Sequence, residues 1–331
     1  MKKLRTAVVG CGGIAQVHEK VLESLNCCDI VACVDVIPEK AETLARKCGA
    51  RAYQDLEGML AAERPDVVHL CTPHALHVPQ AILAAEAGAA VFSEKPPAVS
   101  REQWRQLLEV GKKTPVGICF QNRYNPNVLL AEQLLAQGTF GRVMGVRAFM
   151  TWRRDAGYYQ DGWHGRWESE GGGTLINQAI HTLDLLIRFL GQPDEIEARM
   201  ANHHLRGVIT EEDTVEMFFR AGEKRGLLYG SNACVRDEPV LLEIQAEKGN
   251  LRLESDTLEI RTETGSEVRR CPEDESLGKS YWGAGHKACI TDFYRSLTEN
   301  LPIRNSLASC ENTVNALLTA YEQCKKSLVQ D

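Results

Sequence analysis

Along the first third of the chain, short apolar runs alternate with segments whose apolar residues recur every three or four positions. This rhythm marks strands and helices wound in turn around a parallel sheet. Residues 4–10, 30–35, 67–71, 90–93 and 116–120 read as strands, and 14–25, 38–48, 78–87 and 101–113 as helices. Pro38 and Ser100 stand where helices begin, Gly49 and Gly88 where helices stop. The expected fold class is α/β, opening with a Rossmann doubly wound parallel sheet.

The pattern changes near residue 122. A helix over 127–137 is followed by strand-like runs at 143–151, 195–202, 214–220, 226–231, 241–246 and 251–254. Between the first two of these lies one strongly apolar helix, 174–190, and two helices, 286–298 and 306–328, close the chain. The later strands alternate apolar and polar residues, which predicts a C-terminal α+β domain with a mainly antiparallel sheet covered on one face. The domains read as 1–122 and 123–331. A sheet with one covered face leaves an apolar face that monomers rarely expose, so a homodimer or homotetramer is expected.

Charge narrows the function classes. With 38 basic and 45 acidic residues the net charge is −7, which argues against a nucleic-acid partner. No apolar run reaches the length of a membrane span, and the first residues run into a strand without a signal-peptide pattern. The twelve cysteines are scattered, with no paired Cys-x-x-Cys motif and no clear histidine partners. They read as reduced thiols of a cytoplasmic protein, and no metal is expected.

Chemistry enters at the ends of the predicted parallel strands. Gly10-Cys11-Gly12-Gly13-Ile14-Ala15 opens a helix after the first strand. Gly10 permits the tight turn, Gly12 lets the backbone approach a pyrophosphate, and the helix N-terminus faces the phosphate charge. Asp35 ends the second strand, where an acid meets the adenosine ribose. Its carboxylate would repel a 2′-phosphate, and Val36-Ile37-Pro38 offers no arginine to hold one, so NAD is expected over NADP. Thr72, Pro73 and His77 follow the next strand and are expected beside the cofactor, His77 also suiting a plain helix start. Glu94-Lys95-Pro96-Pro97 then presents a lysine pinned by prolines, fit for proton transfer, with Glu94 and Lys95 also expected to bind the cofactor.

In the second half, Gly171-Gly172-Gly173 precedes a helix on which Asn177, His181, Asp184 and Arg188 would form one polar stripe. Such a stripe on an apolar rod needs partners or a cleft. The run Trp152 to Trp167 mixes aromatic, glycine and charged residues and suits a sugar ring as well as plain packing or a subunit contact.

Taken together, the Gly10–Ala15 turn with His18, Thr72-Pro73 with His77, Glu94-Lys95-Pro96, the three glycines, His181 with Asp184, and Gly285-His286 before Asp292-Phe293 resemble the glucose–fructose oxidoreductase, inositol dehydrogenase and rhizopine-catabolism (Gfo/Idh/MocA) family. The resemblance implies NAD(P)-dependent oxidation or reduction of a sugar, cyclitol or related polyol. It also implies an open antiparallel sheet that often makes dimer contacts. Many members place an aspartate four residues before the catalytic histidine, where this chain has Asn177. An amide orients a hydroxyl but exchanges no proton.

The expected activity is a dehydrogenase acting on a CH–OH group, with Lys95 stabilising the alkoxide, His181 as general base and Asn177 orienting a hydroxyl. Trp163 and Tyr124 are candidate ring contacts, and Arg123 a candidate for a substrate carboxylate. Two rivals stand beside this reading: an NAD-retaining glycosidase working through a transient keto-sugar, and a non-enzymatic NAD or sugar sensor.

Overall fold

The computed structural model describes residues 3–271 and 285–328, which fall into two compact units. The first contains the residues up to Gln121 and takes back the chain as far as Cys310, while the second holds Asn122 onward and the residues from Glu311. The chain first passes from one unit to the other between Gln121 and Asn122. The sequence does not show that the penultimate helix returns to the first unit.

In that unit β1 (Leu4–Val9), α1 (Gly13–Ser24), β2 (Cys28–Val34), α2 (Pro38–Cys48), β3 (Arg51–Tyr53), α3 (Leu56–Glu63), β4 (Val67–Leu70), α4 (His77–Glu86), β5 (Ala90–Ser93), α5 (Arg101–Gly111) and β6 (Val116–Ile118) alternate along the chain. The strands pair in the order β3-β2-β1-β4-β5-β6, all in parallel. This doubly wound order reverses direction beside β1, so ligands belong outside the carboxyl ends of β1 and β4. The helix signals act as expected: Pro38 sits at the start of α2 and Gly49 takes φ 68° after it, and the Ser100 hydroxyl accepts from the Gln103 amide. The pair β3 and α3 is absent from the sequence reading. β3 is three residues long at the sheet edge, and α3 carries Gly58 and almost no apolar periodicity. Its start is set by Asp55, which accepts from the Gly58 amide at 2.6 Å.

The second unit contains α6 (Pro126–Ala136), β7 (Val143–Thr151), α7 (Thr174–Asn177), α8 (Ile180–Leu190), β8 (Glu195–Ala201), β9 (Thr214–Ala221), β10 (Lys224–Ser231), β11 (Leu241–Ala246), β12 (Gly249–Glu254), β13 (Thr257–Thr262) and β14 (Gly265–Arg270). The eight strands run β14-β13-β12-β11-β7-β10-β9-β8. Only the β7–β10 pair is parallel; the others are antiparallel. β13 and β14 escape the sequence reading because their polar faces are dense with Glu, Arg and Thr. Apolar α8 packs on β7, β10 and β11 and buries all its residues but His181 and Arg188. The helix expected over 174–190 is in fact two. The Thr174 carbonyl accepts from both the Gln178 and Ala179 amides, at 3.1 and 2.8 Å, which widens the turn and separates α7 from α8.

α9 (Gly285–Glu299) completes the first core: the Phe293 ring lies 5.0 Å from that of Phe92, and the Tyr294 hydroxyl meets that of Thr6 at 2.7 Å. α10 (Leu307–Leu328) ends the described chain. All twelve cysteines are free thiols, nine of them buried. Among the described residues no helix is long and apolar enough to cross a membrane.

Candidate active site

The glycine turn is built by close packing. Gly10 takes φ 84°, and a Cβ there would stand 2.6 Å from the Cys71 carbonyl oxygen and 2.8 Å from the Thr72 nitrogen. Nothing lies within 4 Å of the Cβ positions of Gly12 or Gly13, so the backbone there is open to a ligand. Gly12 caps α1 with no side-chain hydrogen bond, and the first turn holds no acid. The N–H groups and positive end of α1 are thus left for an anion. Asp35 braces this cradle, its Oδ2 accepting from the Cys11 amide at 2.8 Å and its Oδ1 from the Ile37 amide at 2.9 Å. The geometry fits a dinucleotide held by Gly10, Cys11, Gly12, Gly13, Ile14 and Asp35.

The next two strand ends are tied to each other. His77, expected beside the cofactor, is buried with both ring nitrogens on main-chain carbonyls, Nδ1 to Pro96 at 2.9 Å and Nε2 to Thr72 at 2.8 Å. It sits between the Thr72-Pro73 turn and the Lys95 turn, and the neutral ring there donates to only one of the two carbonyls. Burial also pushes its pKa down. The Thr72 hydroxyl donates to Gln80 at 2.6 Å. Lys95, half-buried, follows the fully buried Glu94.

Behind Glu94 runs a chain of buried groups that no sequence spacing signals. Burial pushes the Glu94 carboxyl up, but the His18 hydrogen bond and nearby positive charge outweigh it and hold it well below the carboxylate range. An ionised Glu94 only accepts, so His18 donates from Nε2 at 3.0 Å. Its Nδ1 then accepts from His69 Nδ1 at 2.8 Å, His69 Nε2 accepts from Tyr294 at 3.0 Å, and Tyr294 accepts from Thr6 at 2.7 Å. Glu94 is therefore held from behind rather than turned wholly to a cofactor. His18, Glu94 and Cys119 also bring three metal-capable atoms within 4.8 Å of one another, a grouping the sequence does not announce.

In the second unit the three glycines are dictated by what they pass. A Cβ on Gly172, at φ 158°, would lie 2.2 Å from the Tyr321 hydroxyl, and one on Gly173 would lie 2.1 Å from the Glu212 carbonyl. Buried Glu212 accepts from the amides of Gly173 at 3.0 Å and Leu175 at 2.9 Å, and from Tyr321 at 2.7 Å. It anchors the start of α7, and burial raises its pKa to about 7. Sequence reasoning missed it, although Glu211-Glu212-Asp213, three fully buried acids in a row, carry the signal.

The expected polar stripe divides into separate tasks. Asp184 receives the buried Arg123 guanidinium, so Arg123, expected to take a substrate carboxylate, is paired with a carboxylate of the protein itself. Arg188 faces outward onto Glu132. Asn177 and His181 are left as the candidates for chemistry, Asn177 8% exposed and His181 half-buried. Tyr124 is buried, and the Trp163 ring stacks on His164 with centroids 3.7 Å apart.

Models of known families match both units. Residues 4–121 match an oxidoreductase family with an NAD-binding Rossmann fold, and residues 128–252 match the GFO/IDH/MocA C-terminal domain. A D-glucoside 3-dehydrogenase of Escherichia coli is 36% identical over 194 residues, spanning 57% of this chain and 55% of that protein. An inositol 2-dehydrogenase of Rhizobium meliloti is 26% identical, with 81% of each chain covered. The crystal structure of the WlbA dehydrogenase from Bordetella pertussis, in complex with NADH and UDP-GlcNAcA, superposes with a TM-score of 0.88 at 27% identity, covering 98% of this chain and 96% of that one. The chain belongs to the Gfo/Idh/MocA family of oxidoreductases and carries its NAD-binding Rossmann domain.

Proposed function

We propose that the protein is an NAD-dependent dehydrogenase that interconverts a secondary alcohol and ketone on a sugar, cyclitol or related polyol. The observation that carries this is the open, uncapped start of α1 at Gly12 with Asp35 braced beside it, together with a half-buried lysine just past the end of β5 in the same parallel sheet. Bound NAD supplies the hydride acceptor. Lys95 donates a hydrogen bond to the reacting oxygen and stabilises its developing charge. His181 takes the hydroxyl proton, and Asn177 orients a hydroxyl of the substrate. Glu94 and His77 hold the Lys95 turn from behind.

The protein is proposed to act in the cytoplasm, where free thiols such as Cys33 and Cys48, 3.8 Å apart, stay reduced. It is proposed to work as a homodimer or homotetramer through the outer face of the large sheet. There Phe149 and Tyr229 lie side by side next to Phe218, which is 55% exposed, and the pairs Arg147–Glu243 and Arg252–Glu254 frame them.

A panel of free sugars, cyclitols, glycosides and nucleotide sugars, read by NADH absorbance, tests the activity. NADH formed with at least one class supports it. Glycoside cleavage without net NADH, or NAD binding with no turnover on any class, overturns it.

A further inference from the structure

The aromatic run between β7 and α7 has a role that the catalytic assignment leaves unused. Glu170, the residue before the three glycines, is 1% exposed. Its Oε1 accepts from Asn177 Nδ2 at 2.5 Å and its Oε2 from the Gly165 amide at 2.5 Å. Asn177 Nδ2 also reaches the Tyr158 hydroxyl at 3.4 Å, and Gln178 Nε2 reaches the same oxygen at 3.1 Å. Tyr158 meets His164 Nε2 at 3.1 Å, and His164 Nδ1 meets Asp161 Oδ2 at 2.6 Å.

Donor bookkeeping orders this network. The Asp161 carboxylate accepts the Nδ1 proton of His164, so Nε2 accepts the Tyr158 proton, and the phenol oxygen is left to accept from the two amides. Each hydrogen of the Asn177 amide then points at an acceptor, one at Glu170 and one at Tyr158. Turning the amide over would set its oxygen against the Glu170 carboxylate at 2.5 Å, two acceptors in contact in a buried site. The Asn177 amide has one permitted orientation. Also facing this cluster are Arg154, its guanidinium 5.2 Å from the Tyr158 ring, and the phenols of Tyr159 and Tyr321, both of which feel the Glu170 charge.

We propose that Glu170 is a positioning residue for the reaction, locking Asn177 so that its Oδ1 accepts a hydrogen bond from a substrate hydroxyl. This rests on the reading above, in which Asn177 touches the substrate. The site accordingly selects a hydroxyl that donates at that position and rejects an ether or other group that only accepts. Glu170 and Asn177 are also a matched pair of charge and amide. An aspartate at 177 would oppose two carboxyl groups that must share a proton, as like charges in contact do.

The test is a cycle of Asn177→Asp, Glu170→Gln and the double variant, assayed with the best panel substrate and its O-methyl derivatives across pH 5–9. Each single variant is expected to raise KM by about tenfold or more, the loss of an oriented hydrogen bond. Asn177→Asp is expected to add a titration above the ordinary carboxylate range to the KM profile. The double variant restores the match, because the amide introduced at 170 donates to the carboxylate introduced at 177. Its KM should return to within about threefold of wild type and the added titration should vanish. If a single variant folds poorly, the melting temperatures of the cycle carry the same coupling, and recovery in the double supports the pairing. Losses that simply add, or an Asn177→Asp enzyme with unchanged KM and pH profile, overturn it. A wild-type enzyme inactive on the whole panel would overturn the functional reading and this proposal together, whereas an active wild type without the coupling overturns this proposal alone.

Discussion

Arg123 closes its guanidinium on Asp184, Nε to Oδ2 at 2.7 Å and Nη2 to Oδ1 at 2.5 Å, with each side chain 1% exposed. Asp184 Oδ1 also accepts from Thr313 at 2.8 Å, so α8 is fastened to the turn before α6 and to α10. Removing one member of a buried pair strands the other charge, at a cost of about 3–5 kcal/mol. Arg123→Met and Asp184→Asn are each expected to lower the unfolding free energy by that order in a denaturant titration, with substrate KM near wild type in the folded fraction. A tenfold KM increase at unchanged stability would return Arg123 to the substrate-binding role.

Asp35 is proposed to govern cofactor choice by charge. Its carboxylate sits at the end of β2 against the glycine turn, with exposed Val36 and Ile37 following and no cation among them. A 2′-phosphate there meets a like charge. Asp35→Ser should narrow the NAD-over-NADP preference by about tenfold, roughly one like-charge contact near a protein surface, as measured by calorimetry. A preference unchanged by this substitution would contradict the assignment.

Acid should weaken the first unit. Burial holds His286 at about 4 and pushes His69 well below its ordinary value. A histidine whose pKa is lower folded than unfolded contributes stability that is present above about 6.5 and lost as pH falls through the folded value. For His286 the loss approaches about 3 kcal/mol between pH 6.5 and 4. Unfolding free energies at pH 7.5 and 4.5 should therefore differ by less in His286→Gln than in wild type. Equal differences would show that folding leaves the His286 pKa unshifted.

Assembly can be tested on the outer sheet face. Phe218→Glu adds charge to the apolar patch of Phe149, Phe218 and Tyr229 without touching the buried side. Light scattering at micromolar concentration should give a dimer or tetramer for wild type and a smaller species for the variant. A wild-type monomer would refute the proposed interface.

Much of the architecture is legible from local signals. The period of two or of 3.6, Pro38, Ser100 and the glycines bracket elements whose partners lie next in sequence. The sequence falls short where the deciding contact is distant. Tyr294 joins Thr6 and His69 only after α9 returns to the first sheet, and His18 reaches His69 and Glu94 across 51 and 76 residues of sequence. The break between α7 and α8 rests on the Thr174 carbonyl taking both the Gln178 and Ala179 amides, a choice that the apolar periodicity of 174–190 does not show. The motif residues Lys95, Asn177 and His181 could be singled out from type and place. The pairing of Arg123 with Asp184 and the seat of His77 between two main-chain carbonyls could not, since a charged or polar side chain looks the same in sequence whether it faces a ligand or the protein.

The most direct test of the proposed chemistry is single-turnover hydride transfer in Lys95→Met and His181→Asn, followed with NAD affinity and melting temperature on the same samples. If both residues act on the reacting oxygen, each variant should bind NAD within a few-fold of wild type, melt close to it, and transfer hydride about 10²–10⁴-fold more slowly. Near-normal transfer in well-folded, NAD-binding variants would contradict the assignment.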